Sequence, residues 1–439
     1  MKAGRTLIVL MILVGAVGVL VNGAAIYSRL LYSSFLLILF SWGWTYWVAR
    51  GLTFERSSRE LRANVGDVLE ENFKLANRGR FPVPWIEVIN RSGVPFAAGS
   101  RLFTLVMGRQ HRSYTARTWL TRRGSFQLGP TSLNAGDPFG LFATGREFQA
   151  RETLVVFPMI HEIQSFYSPQ GMLTGGPVIR RKSPDITPHA AGVREYVPGD
   201  AMKRIHWQTS ARRGRLMVKE FEQDPQAEVW IYLDSQRTVH YQLANKQEEA
   251  PFHSMLLMKR PKIELPPSTL EYSVSIAASL AHYFIRQGRA VGLASAGQTL
   301  TVLPAERSER QEAKILETLA FVNSDGNLSL AGLVATQSAL LPQGSSVILI
   351  TPTTRPDLLQ AVDELLRRFL SPIVVLLDAK TFGGQANPAE LITSLRERRV
   401  PVLPVACGDD LPTALSEIST KFSHQEVRSW QTPISYPST

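Results

Sequence analysis

Cysteine is nearly absent from this 439-residue chain, which contains Cys407 alone. One cysteine cannot form an intramolecular disulfide, and the eight scattered histidines have no cysteine partners at zinc-finger spacing. The sequence therefore excludes a disulfide scaffold and a structural zinc finger. Its length is sufficient for two or three domains, each with its own core.

Catalytic signatures are also missing. The chain has no GxxxxGK[ST] phosphate loop, no GxGxxG after a strand, no HExxH and no nucleophile elbow. Asp234 and Asp378 end predicted strands, but no spacing forces His206 or His282 close to them. We therefore expect a protein without enzymatic activity and without a cofactor.

Two long stretches near the N-terminus lack charge. The 23 residues between Arg5 and Arg29 and the 20 residues between Arg29 and Arg50 are uncharged. Either run can cross a hydrocarbon layer of about 30 Å as a helix. A cleaved signal peptide is the alternative for the first run, but its apolar part is long and a second run follows at once. We predict a hairpin of helices at about 6–28 and 30–49, turning near Ser28 and Arg29.

The charges around this hairpin predict its orientation. Lys2 and Arg5 precede it, a group of arginines follows it and only Arg29 lies in the expected turn. Positive residues are retained on the cytoplasmic side of bilayers. The sequence therefore predicts a multi-pass bacterial inner-membrane protein with its soluble domains in the cytoplasm. Aromatic residues crowd the end of the second run, as in the belts that anchor helices at the headgroups, namely Trp42, Trp44, Tyr46 and Trp47.

The hydrophobic pattern then changes twice. From 51 to 177 the period is two, with short strands separated by turn residues, which predicts a β-sandwich-like domain. From 228 to 425 apolar strands alternate with amphipathic helices, which predicts a doubly wound α/β domain with a largely parallel sheet. The remaining segments are the hairpin at 1–50, a basic segment at 178–227 and a tail at 426–439.

The basic segment is the most distinctive part of the chain. Residues 178–219 contain ten Lys and Arg against three Asp and Glu, whereas 220–439 contain 19 against 24. Guanidinium groups pair with phosphates, anionic lipids or acidic protein surfaces. For the residues around the Pro-Gly turn we favour an internal role, in which they lock two domains together and Trp207 is a buried wedge. These residues are Arg194, Glu195, Tyr196, Pro198, Gly199, Asp200 and Arg204. We expect Arg212, Arg213 and Arg215 to face a partner.

This segment carries a family resemblance. From His189 to Arg212 the sequence reads HAAGVREYVPGDAMKRIHWQTSAR, and Leu216, Val218, Lys219 and Glu222 follow at the expected spacing. It resembles the signature of the bacterial family called domain of unknown function 58. The resemblance implies a membrane-anchored chain whose C-terminal domain is similar to a von Willebrand factor A domain. Proteins of this kind are often encoded beside AAA+ ATPases of the MoxR kind, so such a partner is implied here.

The resemblance also raises the question of a metal site. Adhesion-type A domains hold a divalent cation with an Asp-x-Ser-x-Ser loop, a later Thr and a later Asp, because a hard cation needs several oxygens. Here Asp234, Thr238 and Thr269 are the matching candidates. Gln236 replaces a serine, Pro352 stands where the later aspartate is expected and Arg237 adds a positive charge. We predict a degenerate site that binds no Mg²⁺.

Together these patterns favour a membrane-anchored scaffold or adaptor in a bacterial assembly process. One alternative is a metal-dependent adhesion module. A second is binding of anionic lipid or nucleic acid through the basic segment. The sequence does not indicate an oligomeric state or a client.

Overall fold

The computed structural model describes residues 2–149, 151–167, 190–196, 205–221, 228–243 and 263–417. These residues form two compact units. The first contains the described residues up to Met159, and the second contains those from Ile160 onward. Two short segments, 263–266 and Leu316–Val322, group with the first unit.

The first unit begins with two antiparallel helices, α1 (Lys2–Val21) and α2 (Ala25–Gly51). The predicted turn at Ser28 and Arg29 is wrong, because Arg29 lies within α2. The chain turns at residues 22–24 instead, where Gly23 adopts a φ of 61° and its amide donates to the Gly18 carbonyl. A glycine in the left-handed conformation ends a helix without strain, and this outweighs the preference of a charge for a turn.

Both helices are long and apolar enough to cross a membrane. Their apolar side chains are largely uncovered by protein; Leu20 and Leu36 are 85% and 69% exposed. The helices approach closely at Gly15 and Gly18, where a Cβ atom would lie 2.9 Å from the Leu31 side chain and 2.2 Å from the Tyr27 ring. The two glycines therefore set the distance between the helices.

The rest of the first unit is built from short strands. Their bounds are β1 (Leu52–Ser58), β2 (Arg62–Asn64), β3 (Val68–Asn77), β4 (Val83–Asn90), β5 (Arg101–Val106), β6 (His111–Trp119), β7 (Gly124–Gln127), β8 (Thr131–Gly136), β9 (Ala143–Phe148) and β10 (Thr153–Phe157). They form three sheets in the orders β1-β3-β6, β2-β10-β7 and β5-β4-β8-β9. All neighbouring pairs are antiparallel except β2 and β10.

One core joins two of these sheets to helix α2. Phe54, Phe73 and Leu75 from the β1-β3-β6 sheet pack in the same buried cluster as Ile86 and Leu133 from the four-stranded sheet. Val48 of α2 belongs to this cluster as well and is only 3% exposed. The end of α2 is therefore part of the folded unit. The alternating burial along β3 is the period-two pattern of a sheet with one covered face.

The second unit contains a six-stranded sheet. Its strands are β13 (Val229–Leu233), β14 (Val291–Ala296), β15 (Leu300–Glu306), β16 (Ser346–Thr351), β17 (Ser371–Leu377) and β18 (Val402–Val405). Their order is β15-β14-β13-β16-β17-β18, and only β15 runs antiparallel to its neighbour. The prediction of a mixed α/β unit with a largely parallel sheet is confirmed.

Helices cover both faces of this sheet. Their bounds are α4 (Thr269–Arg286), α6 (Leu330–Gln337), α7 (Asp357–Arg367) and α8 (Ala389–Glu397). A short helix α3 (Trp207–Arg213) precedes them in the chain, and α5 (Glu309–Phe321) is divided between the two units. Trp230 and Tyr232 pack in one core with α6, α7 and α8. Ile231 and Leu233 alternate with them along β13 and are fully buried on the other face. Parallel strands thus bring their carboxyl ends to one edge.

Candidate functional site

Asp234 lies at the carboxyl edge of the sheet, directly after β13. Its side chain is 2% exposed, and its carboxylate accepts hydrogen bonds from the Thr351 hydroxyl at 2.6 Å and the Gln236 amide at 3.0 Å. Burial raises the pKa of Asp234 to about 6, although both hydrogen bonds favour the charged form. Both carboxylate oxygens are therefore engaged within the protein.

Thr269 begins helix α4 beside Asp234 and is fully buried. Its hydroxyl lies 3.0 Å from His240 Nδ1 and accepts from the Tyr241 amide at 3.0 Å. His240 Nε2 is 2.9 Å from the Asp234 carbonyl oxygen, which can only accept, so Nε2 carries the proton. Burial lowers the pKa of His240 to about 4, and the ring is neutral at physiological pH. Thr269 therefore holds a buried histidine and the adjoining backbone.

Thr238, the third predicted ligand, lies on the surface of the same edge. Its hydroxyl is 3.5 Å from Nη2 of Arg355, and Arg237 is exposed next to it. The structure thus brings the three predicted oxygen donors to one region, but each already has a protein partner and cations stand beside them. Within the described ranges, no group of three or more His, Cys, Asp and Glu is placed to hold a metal ion.

Three members of this edge were missed by sequence reasoning: His240, Thr351 and Arg355. Thr351 is the last residue of β16, and its hydroxyl also accepts from the Thr353 amide at 3.0 Å. The available signal was its position at a strand end, since the carboxyl ends of parallel strands converge. The two other candidate histidines lie elsewhere: His206 accepts from the Thr209 amide, and His282 pairs with Glu312 at 2.7 Å.

The basic segment forms a strand, a short helix and a second strand. β11 (Ala190–Glu195) pairs antiparallel with β12 (Met217–Phe221), and α3 lies between them in the chain. The buried Ser210 hydroxyl accepts from the Met217 amide at 2.8 Å, which fastens α3 to β12. Gly214, at a φ of 66°, ends the helix. These local bonds define a surface that we name the α3 surface, with the members Trp207, Arg212, Arg213 and Leu216.

Trp207 is not the predicted buried wedge. Its side chain is 66% exposed, and Leu216 beside the end of the helix is 43% exposed. The reason is the orientation of α3, which turns Ser210 inward to bond β12 and leaves the first helical residue outward. Arg212 and Arg213 are exposed on the same short helix. A large apolar ring and two guanidinium groups are therefore exposed on the same short helix.

The basic segment has one described ion pair, which lies within its own strand-helix-strand unit. Glu195 pairs with Arg215, and both side chains are more than half exposed. Arg215 thus contacts its own hairpin, although we expected it to face a partner. Arg194 lies in β11 opposite Val218, and the Tyr196 amide donates to the Leu216 carbonyl. The turn residues Pro198, Gly199, Asp200 and Arg204 are outside the described residues.

Comparisons with known proteins match the same segment. The family model "Protein of unknown function DUF58" matches residues 192–258. The chain is also 25% identical over 340 residues to the uncharacterized protein YeaD of Bacillus subtilis (strain 168), which covers 73% of this chain and 76% of that protein. Both findings show that the chain is similar to proteins of the DUF58 kind.

Two of the solved structures that match are similar to about a quarter of the chain. The CARDB domain of the PF1109 protein from Pyrococcus furiosus is 16% identical, covers 24% of this chain and 91% of that domain, and has a TM-score of 0.18. The secreted serine protease VesC from Vibrio cholerae is 10% identical, covers 28% of this chain and 26% of the protease, and has a TM-score of 0.17. These TM-scores are too low to assign a fold.

Proposed function

We propose that this chain is a non-enzymatic, membrane-anchored scaffold or adaptor that binds an acidic protein partner through the α3 surface. We propose a MoxR-type AAA+ ATPase as this partner, because proteins of the DUF58 kind that this chain resembles are often encoded beside such ATPases. The observation that carries the proposal is the exposure of Trp207, Arg212 and Arg213 on one short helix. Tryptophan and arginine dominate the binding energy of protein interfaces, and an exposed tryptophan on a small helix costs solubility unless something covers it.

The membrane part of the proposal is an inner-membrane hairpin with the soluble units in the cytoplasm. It is supported by the length and exposure of α1 and α2 and by the basic residues at both outer ends. Neither helix has enough apolar contact within the protein to account for its composition. A bilayer would cover the exposed apolar side chains.

The proposed architecture is a sandwich-like β unit followed by a von Willebrand factor A-like unit. The shared core of the β1-β3-β6 and β5-β4-β8-β9 sheets supports the first assignment. The doubly wound sheet supports the second, because its carboxyl edge has Asp234 and Thr269 where the resemblance expects them.

Charge reversal on the α3 surface tests the partner. Arg212→Glu with Arg213→Glu is expected to abolish capture of a purified MoxR-type ATPase, because repulsion replaces attraction to an acidic surface. Capture by the parent chain is expected to weaken with added salt. Arg310→Glu with Arg367→Glu is the matched control, since it changes the net charge equally at two exposed sites of the same unit.

The melting temperature separates the possible outcomes. If the Arg212/Arg213 variant binds as well as its control, the α3 surface is not the partner site. If it melts well below its control, the arginines stabilise the fold. Trp207→Ala with an unchanged melting temperature and lost capture would assign the binding energy to the exposed ring.

The two alternative functions, metal-dependent adhesion and binding of anionic lipid or nucleic acid, predict different experimental results. A metal-dependent adhesion module requires Mg²⁺ to raise the melting temperature and Asp234→Ala to remove that effect; the internal partners of Asp234 and Thr269 argue against it. Binding of anionic lipid or nucleic acid uses the same arginines. It requires capture by anionic vesicles or DNA with a steep dependence on salt.

A further inference from the structure

Two loops of the β unit place aromatic rings against helix α2. Phe81, between β3 and β4, has its ring centroid 5.6 Å from that of Trp44 and 6.5 Å from that of Trp47. Phe139, between β8 and β9, lies 6.3 Å from Phe40 by the same measure. The two loop rings remain 48% and 50% exposed. Each ring thus touches the helix with one side and leaves the other uncovered by the protein.

The loop of Phe139 lies at the level where α1 begins. A Cβ atom on Gly4 would be 2.7 Å from the Phe139 carbonyl oxygen, and Arg5 Nε donates to the Leu141 carbonyl at 2.9 Å. Helix α1 has 20 residues and is about 30 Å long, which equals the hydrocarbon thickness of a bilayer. Its first turn, and Phe40 opposite, therefore mark one edge of the hydrocarbon layer.

Phe81 lies further out along α2. It packs between Trp44 and Trp47, which are four and seven residues beyond Phe40, so it is about 8 Å farther along the helix axis. That distance places Phe81 among the lipid headgroups when Phe139 is at the edge of the hydrocarbon. The two rings are thus at the depths where amphipathic belts of membrane proteins are found.

Both loops are fixed by buried polar side chains. The fully buried Asp137 carboxylate accepts from the Phe139 and Phe142 amides at 2.9 and 2.6 Å. The Asn77 amide, 2% exposed, donates to the Phe81 carbonyl at 2.9 Å and to the Met107 carbonyl at 3.1 Å. This second set of bonds joins the loop 78–82 to the loop 107–110. The exposed rings are therefore held in place before any lipid is present.

Positive charge surrounds the outer ring. Arg78 and Arg80 precede Phe81 in the same loop, and all three side chains are exposed. Arg109, in the adjoining loop, is exposed, and its amide donates to the Gly79 carbonyl at 3.1 Å. Met107, 46% exposed, belongs to the same loop. Guanidinium groups beside an apolar side chain suit the boundary between phosphate groups and acyl chains.

We propose that the loops 78–82, 107–110 and 137–142 form a membrane collar: Phe139 enters the edge of the hydrocarbon layer, Phe81 the headgroup layer, and Arg78, Arg80 and Arg109 bind phosphates of anionic lipids. We assign the bilayer as the binding partner of these loops because they contact the turns of α2 that emerge from it. This inference rests on the proposed membrane anchor. It adds that the β unit is seated in the membrane surface rather than held above it.

Fluorescence quenching in nanodiscs tests the collar. The full chain carries Cys407→Ser and one new cysteine, Phe139→Cys, Phe81→Cys, Leu36→Cys or Leu61→Cys, labelled with an environment-sensitive fluorophore. Leu36 lies within α2 and reports the anchor, whereas the exposed Leu61 follows the far end of β1, about 20 Å from the membrane side. Nitroxides on the headgroup or high on the acyl chain are the quenchers, in discs containing phosphatidylglycerol.

We expect the label at 139 to be quenched best by the acyl-chain nitroxide, the label at 81 by the headgroup nitroxide, and the label at 61 by neither. If positions 81 and 139 behave like 61 while 36 is quenched, the collar is wrong and the anchor stands. If 36 is not quenched, both are wrong. Protection of 81 and 139 from aqueous iodide without quenching by lipid would assign the loops to a protein partner and overturn the collar.

The charged part of the collar has its own measurement. Replacing phosphatidylglycerol with phosphatidylcholine is expected to reduce headgroup quenching at 81, and Arg80→Gln with Arg109→Gln is expected to remove this dependence on lipid charge. Arg117→Gln with Arg146→Gln, two exposed arginines outside the collar loops, is the control. Equal quenching in both lipids for the parent chain would overturn the role of the arginines.

Discussion

Asp234 and His240 have pKa values shifted in opposite directions by the same burial. The pKa of Asp234 rises to about 6, and that of His240 falls to about 4. Burial disfavours the charged form of each group, and the hydrogen bonds to Asp234 and the charge of Arg355 offset only part of this effect. They adjoin each other through the Asp234 carbonyl, so one small region contains two titrating groups whose effects on stability oppose each other.

The sign of each effect follows from proton binding. Between about pH 4 and 6 the folded chain holds the Asp234 proton more tightly than the unfolded chain, so this contribution to stability is lost as pH rises through 6. The folded chain holds the His240 proton less tightly, so that contribution is complete above pH 6.5 and lost as pH falls through 4. Each is worth at most about 3 kcal/mol, at about 1.4 kcal/mol per pKa unit.

Single substitutions should therefore separate the two effects. Relative to the parent chain, the unfolding free energy of Asp234→Asn is expected to rise between pH 4.5 and 6.5 by about 2 kcal/mol, and that of His240→Gln to fall by a similar amount. Urea denaturation in the presence of EDTA at several pH values measures both. If the unfolding free energies of the two variants, each relative to the parent chain, changed with pH in the same direction, the pKa shifts that we assign would be wrong.

The sequence indicated Asp234 but not its surroundings. A carboxylate after an apolar strand is visible as a pattern, whereas Thr351, which binds it, is 117 residues away. For Trp207 the expectation from the sequence was wrong, because its side chain is exposed rather than buried. An aromatic residue in a motif suggests burial, but only the bond between Ser210 and Met217 determines which side of a two-turn helix faces outward.

The elements were predictable where one period dominates. In the α/β unit the strands of the six-stranded sheet are short apolar runs between amphipathic segments, so the alternation predicted the type of unit. In the β unit, β8 and β9 were missed because polar residues and glycines interrupt their pattern, and β1 because it follows a membrane-type helix at once. Helix α6, at eight residues, is short for a periodic signal.

The contact between α1 and α2 depends on one glycine more than on the others. We expect Gly18→Ala to loosen the hairpin, because its new methyl group would meet the Tyr27 ring. Gly43→Ala is the control: no atom lies within 4 Å of a Cβ there, and alanine favours a helix over glycine by about 1 kcal/mol. Amide hydrogen exchange of residues 2–51 in nanodiscs should be faster for Gly18→Ala and unchanged or slower for Gly43→Ala. Equal exchange would show that Tyr27 moves aside.

The orientation of the whole chain can be tested with fusions. A reporter after Thr439 is expected to be active only as a cytoplasmic reporter, because Lys2, Arg5 and Arg50 lie at the outer ends of the hairpin and only Arg29 is near its turn. Paired cytoplasmic and periplasmic reporters measure this. Activity of the periplasmic reporter would mean that the hairpin is inverted or that α1 is removed as a signal sequence.

Helix α2 ends at Gly51 and strand β1 begins at Leu52. The Gly51 carbonyl accepts from the Arg78 amide at 2.8 Å, and a Cβ atom on Gly51 would lie 2.9 Å from the Gly79 nitrogen. No swivel separates the helix from the sheet. The β unit and α2 are therefore expected to move together. A force that a partner ATPase exerts on the β unit would tilt or rotate α2 in the bilayer. Conversely, a change in bilayer thickness that tilts α2 would tilt the β unit with it.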